Sequence, residues 1–278
     1  MEAEGHDVIR LVRREAEHLN EISWRSLSED VEKRRRLEDL DGIVNLAGSN
    51  LAGGRWTTKR KEEILRSRVE STRALVVLTG GLAKRPRVFV NASAVGYYGD
   101  RGEEELTEDS SPGRGYLAEV CQSWEEEVRS ACGFGIRSIM LRFGMVLGRG
   151  GGALERLVPV YRAGFGARLG NGQQWVSWIA LADVLGATMH VLKDMNLTGP
   201  VNAVAPHSAR NAEFSETLAR VLDRRTHAHV PAFVLRTMVG EMADEMLLAS
   251  TRVRPQKLLD SGFHFTLPDL EGALRAVV

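Results

Sequence analysis

Two hydroxyl side chains, Ser93 and Tyr116, are the candidates for acid–base or hydrogen-bonding chemistry in this chain of 278 residues. Ser93 directly follows the apolar run 87–92, which is typical of a buried strand. Ligands of open α/β sheets bind at the carboxyl ends of strands, where a serine hydroxyl can hydrogen-bond a substrate hydroxyl or carbonyl. The alternative is a turn in which Ser93 caps backbone groups.

Tyr116 stands at the start of the helical pattern 117–131. A tyrosine that acts as an acid or base needs a nearby cation, because its unperturbed pKa is ~10. The usual cation is a lysine one helical turn later, and this sequence has Val120 at that position. A tyrosine that only packs at a helix start is therefore the alternative interpretation.

Two further segments follow apolar runs and favour a dinucleotide site. The segment 45–48, Asn-Leu-Ala-Gly, ends the run 42–46, and its small residues let backbone approach a flat ligand closely. Arg13 and Arg14 follow the run 8–12, and an arginine that ends the second strand of a dinucleotide fold accommodates the 2′-phosphate of NADP. An ordinary turn and a solvated basic pair are the respective alternatives.

Arg68 is the unusual residue of the long helical pattern 57–82. It lies four residues after Ile64 and three after Leu65, so it shares their inward stripe. A charge on an inward face needs a partner, which here is either a phosphate or the carboxylate of Glu63. The alternative is a long side chain that reaches past the edge of the core into solvent.

A third glycine-rich segment, 148–153, has the form G-x-G-x-x-A before a helical pattern. We do not interpret it as a dinucleotide fingerprint, because no acidic residue ends a second strand about 20 residues later, as the fingerprint requires. Pro159 is also expected to interrupt the helix that follows.

The elements that position these residues alternate along the chain. Short apolar runs alternate with helical patterns, which predicts an α/β protein with a largely parallel sheet. After about Pro206 helical patterns dominate. The predicted strands are 8–12, 42–46, 87–92, 138–147 and 175–179, and the later predicted helices are 212–222, 232–248 and 256–261.

Composition excludes several classes of function. Lys plus Arg and Asp plus Glu both number 37, so charge gives no reason to expect binding to nucleic acid or to an anionic membrane. We expect no transmembrane helix, since no apolar run reaches ~20 residues. Cys121 and Cys132 form no disulfide framework, and His227 and His229 alternate without a third ligand, so no metal site is predicted. An intracellular, cytoplasmic protein is the simplest expectation.

In combination, the motifs resemble the atypical extended short-chain dehydrogenase/reductases called the epimerase family, whose better-known relatives are nucleotide-sugar epimerases. The resemblance covers essentially the whole chain, including a C-terminal domain of unknown function at about 231–276. The motifs that carry it are N-L-A-G (45–48), R-W-T (55–57), S-R-V-E-S-T (67–72), S-A-V-G-Y-Y-G-D (93–100), L-A-E-V-C-x-x-W-E (117–125), L-R-F-G-M-V-L-G-R-G-G-G (141–152), W-I-x-x-x-D (178–183) and G-P-V-N-A-V-A-P (199–206).

The resemblance implies a Rossmann-like NADP-binding domain over residues 1–206, with a loop excursion at about 149–175, and a small, mostly helical substrate region over 207–278. It implies an oxidoreductase or nucleotide-sugar-epimerase-like protein with a small-molecule substrate. The alternatives are an NADP-binding sensor or scaffold without turnover and a cofactor-deficient truncated isoform. Carried over by position, the catalytic residues are Ser93 and Tyr116, and the cofactor-binding residues are Val12, Arg13, Leu46, Ala47, Glu63, Arg68 and Val146.

The start of the sequence departs from the family pattern. The family opens with a strand and a G-G-T-G-x-x-G-type loop, whereas Met1-Glu-Ala-Glu-Gly-His matches the end of the helix after that loop. We therefore expect roughly 20–25 residues of the first βαβ unit to be absent. Without a central strand, two inner strand edges stay unpaired, and the helix N-terminus that binds the pyrophosphate is missing.

Overall fold

A computed structural model describes residues 5–28, 30–226 and 228–278. The strands are β1 (Arg10–Val12), β2 (Glu21–Ser23), β3 (Gly42–Asn45), β4 (Val88–Ala94), β5 (Glu105–Leu106), β6 (Arg137–Phe143), β7 (Met145–Leu147), β8 (Ala167–Leu169), β9 (Trp175–Val176), β10 (Trp178–Ala180), β11 (Gly199–Ala203), β12 (Ala209–Arg210), β13 (Ala228–Val230) and β14 (Arg252–Val253). The helices are α1 (Val31–Arg35), α2 (Thr58–Gly80), α3 (Tyr116–Arg129), α4 (Gly152–Arg162), α5 (Leu181–Lys193), α6 (Asn211–Val221), α7 (Ala232–Val239), α8 (Gln256–Asp260) and α9 (Leu270–Arg275). A π-helix spans Ala243–Leu248.

The central sheet has four parallel strands in the order β11-β6-β4-β3. Residues alternate between its two faces, as the pleat requires. Phe89 and Met140 face α2 and α3, where they pack with Val76 and Val128. The opposite face of β4, β6 and β11 packs on α5 and α8. The predicted α/β architecture with a parallel, Rossmann-like sheet is confirmed.

The strands β1 and β2 form a separate parallel pair rather than an extension of the central sheet. In the described part of the chain, β3 pairs only with β4, and β1 pairs only with β2. Within these residues β1 and β3 are therefore edge strands, and the central sheet ends at β3.

The predicted strand 138–147 is in fact two strands, because the chain leaves one partner for another at Gly144. The Gly144 N–H donates to Ala203 O (3.2 Å), whereas the next N–H, that of Met145, donates to Ser177 O (2.8 Å). A Cβ on Gly144 would lie 2.6 Å from Ser177 O, so only glycine allows this approach. Consequently β6 lies in the central sheet and β7 pairs with β10.

Three other boundaries differ from the predictions. The expected loop excursion at 149–175 contains α4 and β8. Pro159 does not interrupt α4, since the helix continues past it and Ala163 N–H donates to Pro159 O (3.0 Å). The predicted helix 232–248 breaks at Gly240, whose φ of 67° lies in the left-handed region, and resumes as the π-helix.

Within the described ranges, no helix is both long and apolar enough to cross a membrane. The same residues contain no group of three or more His, Cys, Asp and Glu side chains placed to hold a metal ion. His227, which alternates with His229 in the sequence, lies outside the described residues.

Candidate functional site

The site lies where β3 and β4 end, and a buried polar network fixes the loop that leaves β3. Asn45 Nδ2 donates to Asn91 Oδ1 (2.6 Å) and to Thr72 Oγ1 (3.0 Å). The Asn45 Oδ1 accepts the N–H of Ala47 (3.1 Å), which turns the chain away from the sheet. Trp124 Nε1 donates to the same Thr72 hydroxyl (2.8 Å). Sequence reasoning identified the loop but missed Asn91, Thr72 and Trp124 beneath it.

The loop then runs along α2, close to Arg68. Ser49 N–H donates to Ser67 Oγ (3.0 Å), and a Cβ on Gly48 would lie 3.1 Å from the Arg68 guanidinium carbon. Because Gly48 has no side chain, its backbone lies directly beside the Arg68 guanidinium at the carboxyl end of β3. Such a surface suits a flat, anionic ligand.

Arg68 has no carboxylate partner among the described residues. Its Nη1 donates to Ile64 O (3.1 Å), and its guanidinium carbon lies 5.2 Å from the Trp124 ring centroid. Burial lowers the pKa of Arg68. Glu63, which the sequence analysis considers as a partner, is exposed and pairs with Arg60 instead (2.8 Å). The two predicted partners of Arg68 are a phosphate and Glu63. Because Glu63 pairs with Arg60, an external anion is the remaining one.

The two arginines after β1 have different environments. Arg14 forms two hydrogen bonds to the Glu21 carboxylate (2.8 and 2.9 Å) and an ion pair with Glu17 (3.4 Å). Arg13 is exposed and forms no hydrogen bond or ion pair within residues 5–28, 30–226 and 228–278. Arg13 is consequently free to bind an external anion, whereas Arg14 stabilises the link to β2.

The other predicted cofactor residues occupy three separate places. Val12 is half-buried at the end of β1, opposite Ser23. Leu46 is 67% exposed at the start of the loop after β3, next to Ala47. Val146 lies on β7, opposite Ile179. The structure therefore places Gly48 of the loop beside Arg68. Glu63 is linked to the same loop through Arg60, which pairs with Glu63 and donates to Asn50 O.

Ser93 lies inside β4 rather than just past it, so its predicted place after the strand is wrong. By strand alternation it shares the face of Phe89 and Asn91, under α3, and it is only 3% exposed. Its hydroxyl donates to Glu125 Oε1 (2.7 Å). Glu125 is completely buried and binds Arg142 through both oxygens (2.8 Å each).

Sequence reasoning missed this buried pair. Glu125 lies four residues after Cys121 on the buried stripe of α3, so the argument used for Arg68 would have found it.

Tyr116 is the first residue of α3, as predicted, and several groups enclose it. Its hydroxyl donates to the carbonyl oxygen of Lys61 (2.6 Å), and the Lys61 ammonium lies 4.6 Å from its ring centroid. Trp56 contacts the ring edge to face, with centroids 5.2 Å apart. Burial raises the pKa of Tyr116 to about 12, and the charge of Glu241 acts in the same direction. The phenol is therefore protonated at neutral pH, and it is not hydrogen-bonded to Ser93.

A concave surface lies beside the π-helix, with a volume of about 550 Å³. The parallel pairing of β8 with β13 places Arg168 directly opposite His229. Arg236 of α7 adds a second guanidinium, which Asp244 holds at 2.9 Å. Asn171 and Gln174 complete its polar lining. We call this surface the basic pocket. No local sequence motif predicts this pocket, because its lining residues come from distant segments of the chain.

The four-stranded parallel sheet, with helices packed on both faces, defines a Rossmann-like α/β protein. A sequence profile of the NAD dependent epimerase/dehydratase family matches residues 1–204, and a profile of a domain of unknown function, DUF1731, matches residues 230–277. The chain belongs to the NAD dependent epimerase/dehydratase family.

Relatives of the same kind occur in bacteria and in humans. The epimerase family protein Mb2239 of Mycobacterium bovis is 39% identical over 267 residues, which are 95% of this chain and 87% of that protein. The human epimerase family protein SDR39U1 is 33% identical over 281 residues, covering 100% of this chain and 93% of the human protein.

Solved structures agree with this assignment. The crystal structure of human SDR39U1 (isoform 2) with NADPH superposes with a TM-score of 0.91 at 32% identity, over 99% of this chain and 92% of that one. UDP-glucuronic acid 4-epimerase from Bacillus cereus, in complex with NAD, gives a TM-score of 0.72 at 17% identity, over 94% of this chain and 80% of that one. At that identity the likeness concerns the fold alone.

Proposed function

We propose that this protein binds NADP and uses it to transform a small molecule that carries an anionic group, such as a nucleotide sugar. The observation that carries the cofactor assignment is the contrast between Arg13 and Arg14. Arg14 is neutralised by Glu21, whereas Arg13 ends β1 exposed and without an ion pair among the described residues. A free arginine at that place fits the 2′-phosphate that distinguishes NADP from NAD.

The residues around the loop after β3 support the same proposal. Leu46 and Ala47 offer the loop itself, and Glu63 lies within α2. Val12 on β1 and Val146 on β7 would add apolar surface from other strands. Arg68 supplies a half-buried positive charge next to the glycine backbone of the loop. NADP, when bound, supplies hydride transfer. The chain's own contribution is to hold the dinucleotide's anionic groups with Arg13 and Arg68.

The basic pocket supports an anionic substrate. Two guanidiniums and an imidazole line it, and guanidinium forks suit phosphate oxygens. Asp244 already holds Arg236, so Arg168, which has no ion pair among the described residues, is the guanidinium open to such a group. Some proteins of the same fold act on UDP-sugars, as the UDP-glucuronic acid 4-epimerase does. Since His229, Arg236 and Leu248 come from beyond residue 206, we propose the region 207–278 as the substrate-binding part of the chain and 1–206 as the cofactor-binding part.

This assignment is tested by the binding of UDP-glucuronic acid. Arg168→Gln removes from the basic pocket the guanidinium that has no ion pair among the described residues, and a lost charge-assisted hydrogen bond is worth ~1.5–3 kcal/mol, or about tenfold or more in Kd. We expect calorimetry to show that loss for UDP-glucuronic acid and no change for NADPH. Arg224→Gln is the matched control, because Arg224 binds Arg162 O outside the pocket. Equal losses in both variants, or none in Arg168→Gln, would contradict the pocket assignment.

A second candidate, an NADP-binding sensor or scaffold without turnover, is favoured by the state of the two hydroxyls. The Ser93 hydroxyl is engaged by buried Glu125, and the Tyr116 hydroxyl donates to a backbone carbonyl. Val120 occupies the position where a lysine would lower the tyrosine pKa. Consumption of NADPH, followed by absorbance over a panel of nucleotide sugars, separates the two candidates. Turnover that Tyr116→Phe abolishes would exclude the sensor.

A further inference from the structure

The helix that carries Tyr116 is capped by a carboxylate from far along the chain. Glu245, in the π-helix, accepts the Tyr116 N–H with Oε1 (3.1 Å) and the Leu117 N–H with Oε2 (3.0 Å). The preceding residue, Gly115, provides no side-chain cap. A single side chain therefore satisfies two of the N–H groups that a helix leaves unpaired in its first turn.

The local sequence is arranged to admit this carboxylate. Gly115 has a φ of 109°, which favours glycine, and a Cβ there would overlap Glu245 Oε1. Glu245 is half-buried, so solvent stabilises its charge only in part. The N–H groups at the positive end of the helix dipole stabilise it further. Both partners therefore favour the contact, because Gly115 leaves space for the carboxylate and Glu245 accepts two N–H groups.

A second contact from the same segment reaches the phenol end of Tyr116. Glu241 forms an ion pair with Lys61 (2.6 Å), and the carbonyl oxygen of Lys61 accepts the Tyr116 hydroxyl (2.6 Å). Glu245 therefore contacts the backbone of Tyr116 directly. Glu241 contacts Lys61, whose carbonyl oxygen accepts the Tyr116 hydroxyl.

The same segment also borders the basic pocket. Asp244, the residue before Glu245, holds Arg236 through two hydrogen bonds (2.9 and 3.1 Å). One short π-helix thus contacts the proposed substrate surface on one side and the start of α3 on the other.

We propose that Glu245 is a positioning residue for Tyr116. By fixing the backbone at residue 116, the C-terminal region sets the direction in which the phenol points toward the site. This inference rests on the proposed function for the role of Tyr116, but the positioning itself is a property of the resting protein. It gives the C-terminal domain of unknown function a defined task beyond lining the basic pocket.

The test compares three variants of the full chain with 3-fluorotyrosine at position 116. Glu245→Ala removes the cap, Glu245→Gln leaves one acceptor oxygen, and Glu241→Gln breaks only the ion pair to Lys61. We expect hydrogen exchange at the Tyr116 and Leu117 amides to accelerate about tenfold or more in Glu245→Ala and less in Glu245→Gln. The matched control, Glu241→Gln, should keep the protection of both amides.

The fluorine spectrum provides the readout that a merely structural role would not move. In Glu245→Ala the fluorine resonance of residue 116 should shift or broaden, while exchange in the second half of α3 stays unchanged. Added formate, which can occupy the vacated cap, should restore the original signal. Unchanged amide exchange and an unchanged fluorine resonance in Glu245→Ala would overturn the proposal, as would an equal acceleration of exchange at both amides in Glu241→Gln.

These outcomes are independent of the proposed function. If wild-type protein fails to bind NADPH in calorimetry, the cofactor assignment fails even though the fluorine result stands. If NADPH binds and Glu245→Ala leaves residue 116 unaffected, only the positioning role fails.

Discussion

Replacement of Glu125 by Gln is expected to destabilise the protein by ~3–5 kcal/mol, because it leaves the Arg142 charge buried without its partner. Against a typical stability of ~5–15 kcal/mol, that loss is a large fraction of the total. Glu125 and Arg142 are 0% and 1% exposed, so water does not replace the lost carboxylate. The expected effect is therefore much larger than for an ion pair at the surface.

The loss of the Glu125 carboxylate affects more than its contact with Arg142, because both residues have further partners. Arg142 binds both oxygens of Glu125 and donates to the Tyr98 hydroxyl (2.9 Å), and its guanidinium lies 3.5 Å from the Tyr97 ring centroid. The Ser93 hydroxyl depends on the same carboxylate. Burial raises the pKa of Tyr98 to about 12, so this phenol stays neutral over the working range of pH. The variant disturbs the network that joins β4, β6 and α3.

A control lies at the next position of the same helix. Glu126 is exposed and pairs with Arg129 at 3.1 Å, so Glu126→Gln should cost no more than ~0.2–1 kcal/mol. Urea unfolding of the two variants, followed by tryptophan fluorescence, measures the difference. If Glu125→Gln unfolds at the same urea concentration as Glu126→Gln, the buried pair contributes little and this account of the network is wrong.

The second large effect concerns the cofactor. Arg13→Ala is expected to weaken NADPH binding tenfold or more and to leave NADH binding nearly unchanged, since a charge-assisted phosphate contact is worth ~1.5–3 kcal/mol. The neighbouring Arg14 does not replace it, because Glu21 already holds its guanidinium. Titration calorimetry with both cofactors gives the ratio directly.

Arg68→Met is the matched comparison for this experiment. It keeps most of the apolar stem and removes the guanidinium that lies near Trp124 and Gly48. Because that place is not the end of β1, the loss should fall on NADPH and NADH alike, with thermal stability maintained. Equal weakening of both cofactors by Arg13→Ala would show that Arg13 does not read the 2′-phosphate. A drop in stability without a drop in affinity would make Arg68 a structural residue.

Local pattern in the sequence predicted the elements that rest on short-range periodicity. The apolar runs identified β3, β4 and β6, and the helical stripe of α2 placed Arg68 inward beside Ile64. These features follow from residues within a few positions of each other, so they can be read from one segment at a time. The motifs also led to the family, which the profile over residues 1–204 confirms.

Exact strand ends were less accessible, because the tertiary partners decide them. The run that ends at Ala92 in the sequence continues as a strand to Ala94, since Ser93 and Ala94 pair with Arg142 and Phe143 of β6. That extension turns Ser93 toward α3 and away from the open end of the sheet. A difference of two residues thus changes the environment of a candidate catalytic group.

Short-range patterns of residues were enough to predict an α/β fold with Arg13 at a strand end, Arg68 on an inward helical face and Tyr116 at a helix start. Which of the charged side chains lack an ion pair depends on the tertiary fold. It neutralised Arg14 with Glu21, buried Glu125 against Arg142, and brought Glu245 to the start of α3 and His229 opposite Arg168. Hydrophobic periodicity specifies which face of an element is buried, but ion pairs and caps between distant segments depend on how those buried faces come together.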